Sequence, residues 1–121
     1  HIKWTTIGER GLRSYSRCYG PPFIIQMSGS GLIAPCGMLF NDKYGKFHIG
    51  NITEERWYDI WKSDWYWEVM GYLASDDFDA KSMCGSLCLQ HMTNTALDRH
   101  VKGIERIVPK EAGEPMHVNF L

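Results

Sequence analysis

The sequence predicts an α+β fold: a short β-hairpin followed by several short helices, gathered around four widely separated cysteines. Three observations point there. Two apolar, β-rich stretches flank a Ser/Gly turn within residues 23–34. Apolar residues then recur at helical spacing from about residue 57 onward. Cysteines stand at 18, 36, 84 and 88, so only a folded chain brings all four together.

Residues 1–17 contain Gly8 and Gly11 and read as a lead-in or linker. Pro21-Pro22 precedes a strand over 23–27, Ser28-Gly29-Ser30-Gly31 is the turn, and Leu32-Ile33-Ala34 is the returning strand, ended by Pro35. Asn41–Gly45 reads as a second turn, leading to a short strand over 46–49. Thr53 suits an N-cap, with Glu54 and Glu55 favoured at the positive end of the helix that follows. Trp57, Ile60 and Trp61 recur on one helical face and read as core rather than as a binding stripe. A second helix spans 64–73, with Trp65, Val69 and Leu73 or Trp67, Met70 and Leu73 turned inward. Residues 75–83 are polar and acidic and read as an exposed loop. Thr93–Lys102 suits a helix that stops at Gly103, and residues 104–121 form a tail. His48, His100 and His117 have no partner pattern and read as surface residues.

The 121 residues suit one small domain. With 44% hydrophobic residues, five Trp and six Tyr, the chain can build a core, though one this size buries less of its surface than a larger domain. Thirteen basic and fourteen acidic residues leave a net charge of -1. The short segment Arg10-Gly11-Leu12-Arg13 is balanced elsewhere, so no basic face for nucleic acid is expected. No apolar stretch approaches the roughly 20 residues that span a bilayer, so no membrane partner is expected. No signal peptide is visible, and a chain beginning with His1 reads as a processed protein or a piece of a longer one. A cytoplasmic location is expected.

The cysteine spacing is C-x17-C-x47-C-x3-C. Two disulfides or one metal site are the competing readings. Disulfides need an oxidising compartment, and a Cys84–Cys88 bridge closes a very small loop. A metal site needs a flexible turn and a rigid support. Gly85 supplies the first, and Pro35, which holds Ala34 extended, supplies the second beside Cys36. Gly37 lets main-chain amides approach a sulfur. Four thiolates suit structural zinc as well as an iron–sulfur cluster. Zinc sites usually use two close pairs, and only Cys84/Cys88 is close here, which tilts the balance towards a cluster.

The wider pattern is Cys18, twelve residues, then Gly31-Leu32-Ile33-Ala34-Pro35-Cys36. It continues with Gly50-Asn51-Ile52, Asp59-Ile60-Trp61-Lys62-Ser63 and the pair Cys84/Cys88. Over roughly residues 15–103 this resembles the SPASM/twitch domains appended to radical S-adenosylmethionine enzymes. The resemblance implies a half-barrel-like extension over 18–103, with an auxiliary [4Fe–4S] cluster on Cys18, Cys36, Cys84 and Cys88. Full SPASM domains carry seven cysteines and two clusters, so four imply a single-cluster variant. The final C-x3-C departs from the family's common C-x2-C. It also implies electron transfer and active-site support, with a radical S-adenosylmethionine core in cis or in trans as partner and a peptide or small molecule as substrate. Cys84-x3-Cys88-x2-His91 echoes the C-x3-C-x2-C motif of the catalytic core, but His91 replaces the third cysteine and no barrel follows. The chain therefore reads as an accessory domain with no catalytic residue of its own, and His91 as a surface residue or one beside the site. A zinc-stabilised module for a peptide or protein partner, presenting its aromatics and Asp76-Asp77-Phe78-Asp79, is the alternative. The sequon Asn51-Ile52-Thr53 would fit a third reading, a disulfide-linked secreted domain.

Overall fold

The computed structural model describes residues 13–85 and 87–108. Most of the expected lead-in over 1–17 and tail over 104–121, His117 included, lies outside the described residues.

Strands β1 (Gln26–Met27), β2 (Leu32–Ala34) and β3 (Gly50–Asn51) form an antiparallel sheet in that order. Gln26 faces Ala34 and Met27 faces Ile33, while Ile33 and Leu32 face Gly50 and Asn51. The expected hairpin is present. At its turn Ser28 N–H donates to Leu32 O at 2.9 Å and Gly31 N–H to Ser28 O at 3.0 Å. Gly31 has φ +82°, and a Cβ there would stand 2.7 Å from Asn51 Oδ1, so glycine is required on two counts. That same Asn51 oxygen accepts from the Thr53 amide and hydroxyl, at 2.9 and 2.8 Å. The Gly50-Asn51-Ile52 segment is thus the clasp that ties the hairpin turn to the chain entering the helices.

Helices α1 (Trp57–Lys62), α2 (Asp64–Leu73), α3 (Ala80–Met83) and α4 (His91–Val101) follow. Helix α2 has the expected limits. Ser63 caps it, its side chain accepting from Tyr66 N–H, and Tyr66, Val69, Met70 and Leu73 are its buried face. Helix α4 starts two residues earlier than expected, and Gly103 at φ +71° lies just beyond it. The core joins Tyr15, Ile33, Phe47, Ile49 and Ile60 to the inner face of α2 and to Phe78 and Ala80.

Several expectations are corrected. Phe23 and Ile24 are not in a strand, because both amides turn back onto Gly20 O. Residues 42–47 form 3₁₀ turns rather than a strand over 46–49, started by Asn41 Oδ1 accepting from Lys43 N–H. Thr53 is spent on Asn51, so α1 starts at Trp57 with Arg56 in the cap position. Trp57 and Trp61 are 41% and 42% exposed, and only Ile60 of that stripe is buried. Trp65 and Trp67 are also exposed, flanking the buried face of α2. Their indole N–H groups donate to His48 O and Trp61 O at 3.0 and 2.9 Å. An amphipathic ring with a satisfied polar edge can lie along a surface, which periodicity alone does not reveal. The expected loop over 75–83 instead buries Phe78 and Ala80 and ends in α3, started by Asp79 Oδ1 accepting from Lys81 N–H. His48 is half-buried, its Nε2 hydrogen-bonded to Leu39 O at 2.8 Å. Of the two places expected for His91, the surface is excluded: it is buried, its Nδ1 shares a 3.0 Å hydrogen bond with Tyr15 Oη, and its amide donates to Cys88 O.

Candidate metal centre

Four separate pieces of backbone carry the cysteines. The Cys18 loop is strapped from three directions. Cys18 N–H donates to Leu73 O at the end of α2, at 2.7 Å, and Ala80 N–H donates to Ser16 O, also at 2.7 Å. Asn94 Oδ1, on α4, accepts from the Tyr19 and Gly20 amides at 2.7 Å each. A Cβ on Gly20 would come within 2.7 Å of Gln90 Oε1, so α4 can close on this loop only because residue 20 has no side chain.

Cys36 follows β2, in extended backbone at the start of the 3₁₀ turn Gly37–Leu39. Gln90 fixes the segment before it, Nε2 donating to Ile24 O and Pro35 O at 2.9 Å each. One buried amide therefore holds both ends of the hairpin against α4. Cys84 ends α3, and Cys88 lies just before α4, with His91 N–H donating to Cys88 O at 3.3 Å. The Arg13 guanidinium donates to Gly85 O, binding the segment before Cys18 to the turn between Cys84 and Cys88.

The four cysteines line two adjoining cavities, three on each. Cys18, Cys36 and Cys84 line a cavity of about 60 Å³. Cys36, Cys84 and Cys88 line an adjoining one of about 200 Å³, with Met38, Leu87 and Leu89 in its wall. None of the four is in a disulfide; all are free and partly exposed. Among the described residues no three His, Cys, Asp or Glu side chains are grouped so as to hold a single ion.

The electrostatics describe an apolar hollow with hydrogen-bond donors aimed at sulfur. Burial pushes the Cys18 thiol up to about 12, opposed by the Asn94 hydrogen bond and reinforced by Cys84 and Cys88. Burial pushes Cys84 up to about 11, opposed by the Arg13 charge and reinforced by Cys36 and Cys88. Cys36 is also raised by burial, opposed by hydrogen bonds from the Met38 and Leu39 amides. The Cys18, Cys36 and Cys84 thiolates are each disfavoured by burial, and neighbouring cysteines make them more so. A multivalent cationic centre reverses that balance, because metal ligation deprotonates thiols. Four soft donors, apolar walls and N–H groups on sulfur are the setting in which an iron–sulfur cluster is held and tuned. The residues present fit such a group.

Neither Gln90 nor Asn94 is expected at the site from the sequence, where Asn94 reads only as a start of the last helix. Their signal is the spacing Gln90-x3-Asn94-x3-Asp98, one polar stripe along a helix, and all three are buried. A polar stripe usually reads as a solvated face, so only the packing of α4 distinguishes this one. A second groove, of about 290 Å³, lies between Lys46, Trp65, Glu68 and Tyr72, with Phe47 bordering both it and the smaller cysteine cavity.

The SPASM family model, described as an iron–sulfur cluster-binding domain, matches residues 18–89, more than half of the chain. That span begins at Cys18 and ends one residue after Cys88, so it contains all four cysteines. Neither a curated protein nor a solved structure matches the chain.

Proposed function

This chain belongs to the SPASM family of iron–sulfur cluster-binding domains, and on that premise we propose that it is the single-cluster electron-relay module of a radical S-adenosylmethionine enzyme. The observation that carries the reading is the convergence of exactly four cysteines on adjoining cavities inside the matched span. Cys18, Cys36, Cys84 and Cys88 would hold a [4Fe–4S] cluster, one thiolate per iron. When bound, such a group takes up or gives back one electron. With every iron held by the protein, no coordination position is left for substrate, and the role is electron transfer and support rather than bond chemistry at iron.

The chain's own residues do the rest. Gln90 and Asn94 fix the Cys18 and Cys36 loops against α4. Leu39, Leu73 and Phe78 exclude water from one side of the hollow, and a low-dielectric wall strengthens every charge interaction behind it. Arg13, bonded to Gly85 O, places a positive charge beside Cys84. The partner is a radical-enzyme core, in cis or in trans, acting on a peptide or small molecule. The setting is a reducing cytoplasm that keeps the thiols free. Among the described residues no helix is long and apolar enough to cross a membrane.

The relay role has a direct test. After anaerobic reconstitution, a one-electron reductant gives a spin-½ signal by electron paramagnetic resonance. It integrates to about one spin per four irons and disappears on mild reoxidation with the iron retained. A centre that takes no electron, or that loses its iron on reduction, contradicts the relay.

A further inference from the structure

Two side-chain amides, Gln90 just before α4 and Asn94 within it, flank the Cys18 sulfur, and their polarities are opposed. Both hydrogens of the Gln90 amide are committed to carbonyls, Ile24 O and Pro35 O at 2.9 Å each. Its oxygen therefore faces the sulfur, at 3.9 Å. Asn94 is oriented the other way. Its Oδ1 accepts from two backbone amides at 2.7 Å, and an N–H group cannot donate to an NH₂, so the amide cannot be turned around. Its Nδ2 is thereby aimed at Cys18 Sγ, 3.3 Å away. Asn94 is 1% exposed, so water cannot take its place at the sulfur.

A donor fixed in this way has a consequence beyond holding the loop. A hydrogen bond to a ligating sulfur is stronger when the centre behind it is more negative, so it stabilises the reduced state over the oxidised one. We infer that Asn94 is a potential-setting residue: its fixed N–H donor on the Cys18 sulfur raises the reduction potential of the centre these cysteines hold. The inference rests on the iron–sulfur reading above and adds the residue that tunes it. Asn94 lies five residues beyond the span matched by the family model.

The test uses the 121-residue chain, reconstituted anaerobically with ferrous iron and sulfide, and titrated with a redox dye series while reduced spin is counted. Two variants are compared with wild type. Asn94→Asp keeps an oxygen for the Tyr19 and Gly20 amides but puts an oxygen where the donor was. Asn94→Leu removes donor and acceptor together. Both are expected to take up iron and to have lower potentials. The shift should be about a tenfold change in the oxidised-to-reduced ratio at fixed poise, ~59 mV for one electron, and larger for Asp because of its charge. A purely structural Asn94 would change loading or stability without moving the potential of the centres that do load. Wild-type and variant centres of equal potential overturn the inference while leaving the iron–sulfur reading intact. A wild-type chain that loads no iron overturns both. If Asn94→Leu fails to fold, a hyperfine coupling to the ¹⁵N-labelled Asn94 amide decides, because the Asp charge lowers the potential by itself. As a second readout, specific ¹⁵N labelling of asparagine side chains should give a hyperfine coupling to the reduced centre that is absent in Asn94→Asp; no such coupling in wild type contradicts the bond.

Discussion

Cys36→Ala is expected to leave the chain folded and unable to hold iron. The backbone at residue 36 is extended, at φ -157° and ψ 163°, a conformation alanine adopts freely. Neighbouring Ala34 and Pro35 are buried and keep their contacts, and Gln90 still donates to Pro35 O. Only the sulfur is lost, and with it one of the two thiols common to both cavities. Bound iron should fall from about four per chain to background, while the far-ultraviolet circular dichroism of the metal-free chain stays unchanged. A Cys36→Ala chain that retains full iron would remove Cys36 from the ligand set. The Met38 and Leu39 amides would then have no thiolate to serve.

Leu73→Ala is expected to do the reverse: a large loss of stability with the ligands kept. Leu73 is 2% exposed, sits at the end of the buried face of α2 and lines the smaller cysteine cavity. Truncating a buried leucine costs about 2–5 kcal/mol, from lost transfer energy and the cavity left behind. Against the roughly 5–15 kcal/mol that holds a domain together, that is a large fraction. The strap to the Cys18 loop runs from the Leu73 carbonyl, which alanine also has, so Cys18 N–H keeps its acceptor. Urea unfolding of the metal-free variant should show the loss, and reconstitution in the cold should still give wild-type iron. A destabilisation below about 1 kcal/mol would mean that the site can collapse to fill the void.

The hairpin and α2 were legible because each rests on short-range chemistry, and the four cysteines drew notice by their residue type alone. Gly31 must follow a Ser/Gly turn at positive φ, Ser63 caps a helix whose buried residues repeat at 66, 69, 70 and 73, and thiols have few uses in a small chain. The tryptophans were not legible. Trp57, Trp61, Trp65 and Trp67 carry much of the apolar area near the helices, yet Ile60 and Tyr66 take the core positions beside them. Position around the helix decides this, and a large ring with a bonded N–H tolerates the surface.

The strand expected over 46–49 misled for a different reason. The turn expected at Asn41–Gly45 is present, begun by Asn41 Oδ1 accepting from the Lys43 amide, but it runs on as 3₁₀ helix to Phe47. The supporting residues of the site were the least visible of all. Nothing local marks Gln90 and Asn94 as partners of Cys18, 72 and 76 residues away, or Tyr15 as the partner of His91. Their bonds exist only after α4 docks on the Cys18 loop, across the side-chain-free space at Gly20. A buried polar group must be paired, so these residues identify the site once the fold is known.

The central claim is that the four thiols together hold one iron–sulfur cluster. Iron, acid-labile sulfide and zinc analysis of the anaerobically reconstituted chain, read beside its visible absorbance, tests it most directly. The account predicts about four irons and four sulfides per chain, a broad absorption in the blue, and no zinc. A colourless chain with one tightly bound zinc and no sulfide would contradict it and make the four cysteines the staple of a binding module instead.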